Sequence, residues 1–532
     1  MEKKQKKFVF LSICFVLVFF IYGYTLSGDF VFDDRSIASH YPIFKDINNL
    51  PEVAVMGYWT EESGLYRPVV LISYALNSAF FGPFAFSFHL INLILYAFIG
   101  YLLYLLIRRI FPKKEKFAYL FSILFLVLPI HTEVVANIVG RAEILALLFS
   151  LLTFLELSKS KSNLWKAGLW FLLALGSKEV AVAVLPISLF IIFYKNKCCF
   201  NKKNIGDYFS PLIILFTSAF VYFSIRFLVL GQYFFSNNAT LTENPLKFVS
   251  FGERIATGFK ILFLYIKKSL FGFNLCSDYS YNQIPISKSF FNLETLLGLG
   301  LFLFFIFSLI FFLKKAPILA LGSAFFLFPF LPVSNLFFAM GTIMGERLMF
   351  FPSVGICLYL AQGLIWLYKI KNNKFIHFLF VVLIIGLICF YGAKSFIRSF
   401  DWLTEEKLFI SAAQCAPHSV LSRSNMGTVY YFEGKYKEAE EEILEAHKIY
   451  DKYSKAVNNL GLIYWKKEEY DKAQEQYFKA IKNWPPYEGV YENLILLYLS
   501  QGQTEKARKW INAIFISDQE SKDIYLKRYG LE

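Results

Sequence analysis

The sequence predicts an all-α protein in which a transmembrane helical bundle is followed by a C-terminal α-solenoid. Three observations support this prediction. Of the 532 residues, 56% are hydrophobic, 63 of them Phe, and the mean hydropathy is +0.48, which is more apolar surface than the core of a soluble chain can hide. The apolar runs of the N-terminal part end in basic clusters, and a 34-residue period begins near residue 400.

Lysine and arginine gather at one end of each long apolar run. Short cytoplasmic loops collect these residues, so the clusters predict which helix ends are cytoplasmic. The same loops account for most of the net charge of +14, and nucleic acid is therefore not an expected partner. The clusters are Lys3/Lys4/Lys6/Lys7, Arg108/Arg109/Lys113/Lys114/Lys116, Lys159/Lys161/Lys166, Lys195/Lys197/Lys202/Lys203, Lys314/Lys315 and Lys369/Lys371/Lys374.

We predict about 11 transmembrane spans from apolar runs of roughly 17–25 residues. The first is interpreted as a retained helix, because no clear small-x-small cleavage site follows it. An odd number of spans places the N-terminus in the cytoplasm and the C-terminus on the outer side. The spans are 8–26, 86–107, 117–136, 141–157, 164–178, 179–194, 209–230, 293–313, 316–334, 351–368 and 375–391.

Two further apolar stretches are expected to form interfacial or re-entrant helices on the outer face. Residues 67–83 are interrupted by polar side chains, and a span there would move every later basic loop outside. Residues 255–275 contain three lysines. The seven cysteines have no paired spacing, and Cys198-Cys199 has neither a histidine nor a second pair nearby, so we do not expect zinc.

The composition becomes charged and repetitive near residue 400, where we place the boundary between a membrane domain (1–399) and a repeat domain (400–532). The 34-residue period is typical of tetratricopeptide repeats, which we predict at about 420–453, 454–487 and 488–521 after a half repeat. Three repeats and a cap are near the minimum for a stable stack. The recurring columns include Met426/Leu460/Leu494, Tyr430/Tyr464/Tyr498 and Ala439/Ala473/Ala507.

Two adjacent aspartates, Asp33 and Asp34, open the first outer loop directly after the first span. A carboxylate near lipid is partly desolvated, which raises its proton affinity toward values useful in a general base. The alternatives are a solvated loop acid, an N-cap for the next helix, or a metal site completed by substrate phosphate. We expect Asp34 to be the more sensitive of the two and Asp33 the second.

Three cations near the outer ends of spans are predicted to bind a lipid phosphate: Arg141, Lys178 and Arg347. The guanidinium fork matches phosphate oxygens, and charges this close to a bilayer usually pair or line a polar cavity. The predicted supporting residues are Arg35, Arg67, His131, Glu133, Glu143, Glu179 and Glu346.

Each of these cations also has a structural alternative. Arg141 could form a local pair with Glu133 or Glu143. The adjacent Lys178 and Glu179 could form a buried ion pair that fixes a turn. Arg347, together with the adjacent Glu346, could anchor the chain at the membrane interface.

The order of these motifs resembles that of the transmembrane and tetratricopeptide-repeat protein O-mannosyltransferases, which are members of the GT-C superfamily. The matching segments are FVFDDRSI (30–37), YRPVVLISYALN (66–77), HTEVVANIVGRAEILALLF (131–149), SKE (177–179), PVSNLFF (332–338), GERLMFFPS (345–353) and the repeats. The resemblance implies a GT-C-type bundle that moves a sugar, typically mannose, from a polyprenyl-phosphate carrier to a Ser or Thr hydroxyl, with inversion. It also maps the catalytic acid of the first loop to Asp33 and Asp34.

Two other functions stay open at this point. The acceptor could be a lipid or a growing glycan, or the chain could be a non-catalytic membrane scaffold whose repeats recruit proteins. Under the enzyme interpretation, the partners are the lipid-linked sugar and a protein acceptor held by the repeats, and no metal or other cofactor is expected. The Lys- and Phe-rich composition suggests a bacterial inner-membrane protein with its active face and repeats in the periplasm. In a eukaryote that face would be the lumen of the endoplasmic reticulum.

Overall fold

The structure is a computed structural model that describes residues 2–196, 205–236, 238–369, 374–485, 487–514 and 519–531. Within these ranges the chain is built from helices and turns without any β-strand, in agreement with the all-α prediction. Cys198, Cys199 and several of the basic residues predicted to be cytoplasmic lie outside the described ranges.

The chain divides into two compact units. The first contains Met1–Thr240, Asn244–Ser277 and Ile286–Leu408, and the second contains Leu241–Glu243, Asp278–Pro285 and Phe409–Glu532. The main boundary between the two units therefore follows Leu408, a few residues beyond the predicted domain boundary. Two short segments from the middle of the chain join the second unit, which no composition shift in the sequence had indicated.

Six helices in the described part of the first unit are long and apolar enough to cross a membrane. Glu115–Val127 and Pro129–Ala136 would add a seventh if this pair, bent by 51°, is counted as one span. Pro129 stands at the bend, where its ring removes a backbone donor. The six helices are Gln5–Ser27, Ala85–Ile110, Ile138–Leu157, Gly206–Tyr233, Leu293–Lys315 and Lys374–Trp402.

The other predicted spans coincide with shorter helices. These have 12 to 17 residues, which at about 1.5 Å per residue is less than the roughly 30 Å of a hydrocarbon core. The count of 11 spans therefore stays a prediction. The shorter helices are Leu164–Leu175, Val184–Lys195, Pro317–Phe330 and Ser353–Lys369.

The two stretches predicted to be re-entrant or interfacial are helical. The first forms Pro68–Phe81, which is only 14 residues long. The second forms Phe251–Phe271, which begins at a capping box made by Ser250 and Glu253 and ends at Gly272 in the left-handed conformation, with φ of 62°. The middle of the second helix is buried all round, from Ala256 to Leu262, and Tyr265 is buried as well.

A series of short helices follows the first long helix and leads to the helix Pro68–Phe81. It packs through Ile37, Phe44 and Val53 against buried residues of the helix Pro68–Phe81. The short elements are Phe32–Asp34, Arg35–Ser39, Tyr41–Phe44, Ile47–Asn49, Leu50–Ala54 and Glu61–Ser63. This packing holds the aspartates of the first loop against the membrane bundle.

The second unit contains three consecutive helical hairpins at the predicted repeat positions. Within each of the first two hairpins a glycine lets the helices approach, because a Cβ on Gly427 would lie 2.6 Å from Ile443 and one on Gly461 would lie 2.5 Å from Tyr477. The hairpins are Val420–Phe432 with Tyr436–Ile449, Ser454–Lys466 with Tyr470–Asn483, and Glu488–Ser500 with Thr504–Ile514, followed by Gln519–Arg528.

At Gly298 two helices of the first unit approach each other closely. A Cβ at this position would lie 1.8 Å from the carbonyl oxygen of Phe259, whereas Gly300 on the same helix has nothing within 4 Å. We expect Gly298→Ala to lower the melting temperature of the purified protein, since overpacking costs about 1–3 kcal/mol. Gly300→Ala should be neutral or slightly stabilising, because Ala favours helix over Gly by about 1 kcal/mol. Equal melting temperatures for the two variants would contradict this packing.

Candidate active site

The two aspartates of the first loop occupy different environments. They lie on the 3-10 turn Phe32–Asp34, which starts at Phe32 with a positive φ of 52°. The left-handed region is costly for a bulky residue and persists only where the surrounding fold enforces it. The turn leaves Asp34 completely buried, whereas 30% of the Asp33 side chain is exposed.

Asp34 caps a helix start that lies about a hundred residues further along the chain. Its Oδ1 accepts a hydrogen bond from the backbone N–H of Val139 at 2.8 Å, and its Oδ2 accepts one from Ile138 at 3.1 Å. These amides lead into the helix Arg141–Leu157 and have no partner within that helix. Burial raises the pKa of Asp34 to about 8, against the opposing effect of the two N–H donors. Asp34 thus has the geometry of the N-cap alternative, but for a distant helix.

Asp33 instead pairs with a cation from the C-terminal half of the membrane unit. Nη1 of Arg347 donates to Oδ2 of Asp33 at 3.0 Å. Nε of Arg347 lies 3.7 Å from Oε1 of Glu133, and the Arg347 backbone N–H donates to Oε2 of Glu133 at 2.9 Å. Burial alone would lower the pKa of Arg347, but Asp33 and Glu133 outweigh it and raise that pKa above its usual value.

A small cleft lies beside this ion pair. Lys178 and Glu143 form a second ion pair there, and both side chains are about 90% buried. The cleft is narrow, because the space in it that a water molecule could occupy is only about 10 Å³. It combines three charged residues with an apolar wall: Glu143, Lys178 and Arg347, with Val180, Val333, Leu348, Phe350 and Phe351.

A third ion pair joins the start of the helix Pro68–Phe81 to the short turn after Lys178. Nη2 of Arg67 lies 3.1 Å from Oε2 of Glu179, and the Arg67 guanidinium stacks 4.8 Å above the ring of Tyr58. Glu179 therefore pairs with Arg67, while the adjacent Lys178 pairs with Glu143. The predicted alternative of a Lys178–Glu179 pair does not form.

Arg141 does not face the cleft. It is completely buried, and its guanidinium donates to Oδ1 of Asn92 at 2.8 Å, to Oδ1 of Asn77 at 3.0 Å and to the carbonyl of Phe88 at 2.8 Å. The guanidinium also stacks 4.8 Å from the centre of the Tyr74 ring. The predictions that Arg141 binds a phosphate or pairs with Glu133 or Glu143 are both corrected by this arrangement, because neutral groups inside the bundle take its hydrogen bonds.

Three more of the predicted supporting residues lie away from the cleft. His131 is buried, with Nδ1 2.9 Å from the Tyr96 hydroxyl and Nε2 2.7 Å from the Ser353 hydroxyl. Glu346 is buried and pairs with Arg398 at 3.1 Å. Arg35 is mostly exposed and pairs with Glu405 at 2.6 Å. We therefore assign structural rather than substrate-binding contacts to these three.

Two residues that sequence reasoning missed support the site. Asn92 accepts from Arg141 and donates to the carbonyls of Asn137 and Ile138. Its position inside a long apolar helix was a signal, since polar residues in a span usually have a partner or a function. The Tyr265 hydroxyl donates to the carbonyl of Gly345 at 3.1 Å and accepts from its N–H at 3.0 Å, and a tyrosine in an amphipathic helix carried no comparable signal.

The arrangement suits stabilisation of an anion beside a partly exposed carboxylate. Lys178 and Arg347 provide cations at the cleft, and Asp33 provides an oxygen that can accept a proton. Among the described residues there is no group of three His, Cys, Asp or Glu side chains that could hold a metal ion. The expectation of a metal-independent site stays a prediction.

Arg141 gives a test of the structural assignment. Arg141→Ala leaves the acceptors of Asn92, Asn77 and Phe88 unsatisfied in the bundle, and each buried unsatisfied group costs about 1–3 kcal/mol. We expect poor membrane accumulation and a melting temperature far below that of the wild-type protein, with Arg35→Ala as the exposed-arginine control. A well-folded Arg141→Ala protein that has lost only lipid-phosphate binding would restore the original prediction.

Asp34 gives a test in the pH dependence of stability. Its folded pKa of about 8 lies above the value of about 4 for an unfolded aspartate, so folding takes up a proton. The contribution of Asp34 is complete below about pH 4 and is lost as the pH rises to about 8. We expect wild type to lose thermal stability relative to Asp34→Asn across this range. Parallel melting-temperature curves for the two proteins would contradict the assignment.

Comparison with known sequences confirms the tetratricopeptide prediction. The family model described as Tetratricopeptide repeat matches residues 454–483, which contain the middle hairpin of the second unit. Among solved structures, the crystal structure of the APC/C hetero-tetramer Cut9-Hcn1 covers 87% of this chain and 95% of its own at 14% identity, but its TM-score of 0.23 is too low to support an argument about the fold.

Relatives with curated names match both the membrane part and the repeats. Protein O-mannosyl-transferase F38B6.6 of Caenorhabditis elegans is 29% identical over 440 residues, which cover 81% of this chain and 61% of that protein. Protein O-mannosyl-transferase TMTC3 of Mus musculus is 27% identical over 80% of this chain and 49% of its own. For Protein O-mannosyl-transferase TMTC1 of Homo sapiens, the corresponding values are 27%, 82% and 54%.

The chain spans about half to three fifths of the length of these relatives. All three are animal proteins, so the bacterial source stays a prediction. The resemblance that the order of motifs predicted is confirmed: over about four fifths of its length, this chain is homologous to proteins named protein O-mannosyl-transferases.

Proposed function

We propose that this protein is a membrane glycosyltransferase that moves a sugar, with mannose as the first candidate, from a polyprenyl-phosphate carrier to Ser or Thr hydroxyls of proteins. The observation that carries the proposal is the ion pair of Asp33 with Arg347 at the cleft that Lys178 also lines. Three residues far apart in the sequence thus place a carboxylate and two cations together, as transfer from a phosphate-linked sugar requires.

The apolar wall of the cleft supports a lipid-linked donor. Val180, Val333, Leu348, Phe350 and Phe351 line the same cleft as the cations. A phosphate on Arg347 and Lys178 would therefore have hydrocarbon surface beside it for the first units of an isoprenoid chain. A soluble nucleotide donor would gain less from such a wall, since its polar groups would lose water without new partners.

The proposed reaction is a single displacement at the anomeric carbon. Asp33 takes the proton of the acceptor hydroxyl as that oxygen attacks, and the bond between the anomeric carbon and the phosphate oxygen breaks with inversion. The electron pair of that bond stays on the polyprenyl phosphate, whose added charge is stabilised by Arg347 and Lys178. Because these two cations can neutralise a monophosphate leaving group, we propose that no divalent metal is required.

The compartment follows from the charge pattern. If the basic clusters are cytoplasmic, the site lies at the outer or luminal end of the bundle. Cys276 is disulfide-bonded, which fits an oxidising compartment. We propose that the repeats of the second unit bind the protein acceptor on that same side, since tetratricopeptide stacks typically offer binding surfaces. Transfer to a lipid or glycan, or a purely scaffolding role, has no comparable support in the geometry of the described residues.

Purified protein tests the proposal with labelled polyprenyl-phosphate mannose and exported Ser/Thr-rich acceptor proteins. We expect transfer in the presence of EDTA. Asp33→Asn should reduce the rate by about 10²–10⁴-fold, the usual cost of losing a general base, without a change in melting temperature. Asp46→Asn, which alters an exposed helix-capping aspartate in the same outer segment, is the matched control and should transfer normally.

Three outcomes would contradict the proposal. Wild-type protein that neither binds a polyprenyl monophosphate nor transfers sugar would exclude the donor class. Near-wild-type transfer by Asp33→Asn would exclude Asp33 as the base. Strict dependence on Mg²⁺ or Mn²⁺ would recast the acidic residues as metal ligands and favour a pyrophosphate-linked donor.

A further inference from the structure

The proposed reaction gives a separate role to each member of the Asp33–Arg347 ion pair. Asp33 must accept a proton from the acceptor, and Arg347 must bind the phosphate of the donor. In the structure these two side chains are hydrogen-bonded to each other, since Nη1 of Arg347 donates to Oδ2 of Asp33 at 3.0 Å. As long as the guanidinium holds Oδ2, an acceptor hydroxyl has to share the Asp33 carboxylate with Arg347.

We infer that the contact between Asp33 and Arg347 is a resting contact which the donor phosphate replaces, so that donor binding itself releases the base. The inference rests on the proposed function and deepens it, since it sets the order in which the substrates act. A phosphate oxygen at Nη1 of Arg347 would take the place that the Asp33 carboxylate holds. The carboxylate would then be free to hydrogen-bond the acceptor.

Exposure makes this contact the exchangeable one. The side chains of Asp33 and Arg347 are 30% and 31% exposed, whereas those of Lys178 and Glu143 are 10% and 7% exposed. Ion pairs near the surface are worth less than about a fivefold change in an equilibrium constant. Breaking a buried pair costs much more, because it leaves a charge uncompensated. The donor should therefore replace Asp33 at Arg347 and leave the contact between Lys178 and Glu143 in place.

The backbone around Arg347 is anchored for such an exchange. Its N–H donates to Oε2 of Glu133, and the preceding Gly345 is held through both its N–H and its carbonyl by the Tyr265 hydroxyl. Only side chains need to move when the partner of the guanidinium changes. The site can thus switch from the resting contact to the donor-bound contact without a change in the fold.

A double-mutant cycle on binding tests the inference. The probe is a short-chain polyprenyl monophosphate in detergent, and the corresponding polyprenol without phosphate is the control ligand. We expect Asp33→Asn to bind the monophosphate about two- to fivefold more tightly than wild type, because a competitor for Arg347 is removed. Arg347→Ala should bind weakly, and adding Asp33→Asn to it should have no further effect. Asp46→Asn changes net charge equally and should bind as wild type does.

The outcomes separate the inference from the proposed function. If wild type transfers sugar but Asp33→Asn binds the monophosphate equally or more weakly, the exchange is overturned and the function stands. Equal tightening by Asp46→Asn, or by Asp33→Asn in the Arg347→Ala background, would assign the effect to bulk charge and also overturn it. If wild type does not bind the monophosphate, the proposed function itself fails. Should Asp33→Asn fold poorly, as judged by its melting temperature, Asp33→Ala removes the same competitor and must show the same tightening.

Discussion

The packing of several helices in the membrane unit depends on one buried guanidinium, that of Arg141. A charged group in a bundle interior is tolerated only if its donors are satisfied. Asn77 and Ser73 supply acceptors from the helix Pro68–Phe81, and Phe88 and Asn92 supply them from the helix Ala85–Ile110. Three helices are thereby fixed relative to each other, because separating any of them would leave the buried guanidinium without some of its hydrogen-bond acceptors.

Asp34 extends this constraint to the loop after the first long helix. It caps the turn that leads into the helix carrying Arg141, so the loop is tied to the same frame. Once Asp34 is held inward, the 3-10 turn places Asp33 against Arg347, which lines the cleft. The exposed carboxylate thus owes its position to the buried one, which explains why two adjacent acids can serve stability and chemistry separately.

Elsewhere in the site, too, two residues adjacent in the sequence have different partners. Glu346 is buried against Arg398, while Arg347 reaches the cleft. Lys178 pairs with Glu143, while Glu179 turns to Arg67. In each dipeptide the two side chains have partners in different segments of the chain. The cleft is assembled from these partners with its charges already oriented, which is the condition for electrostatic stabilisation of a leaving group.

The sequence by itself determined the class of this protein: long apolar helices, a 34-residue repeat, and the motifs through which it resembles its relatives. Hydropathy, charge placement and periodicity are local properties, and they can be read without knowing any contact. The sequence also indicated which ionisable residues share one end of the bundle. Only the tertiary structure decided which contacts each of them makes, because the hydrogen-bond partners of Arg141 and Asp33 lie from 49 to 314 residues away along the chain. That is why Arg141, predicted to be a phosphate ligand, proved to be internal, and why Asp33 rather than Asp34 pairs with Arg347.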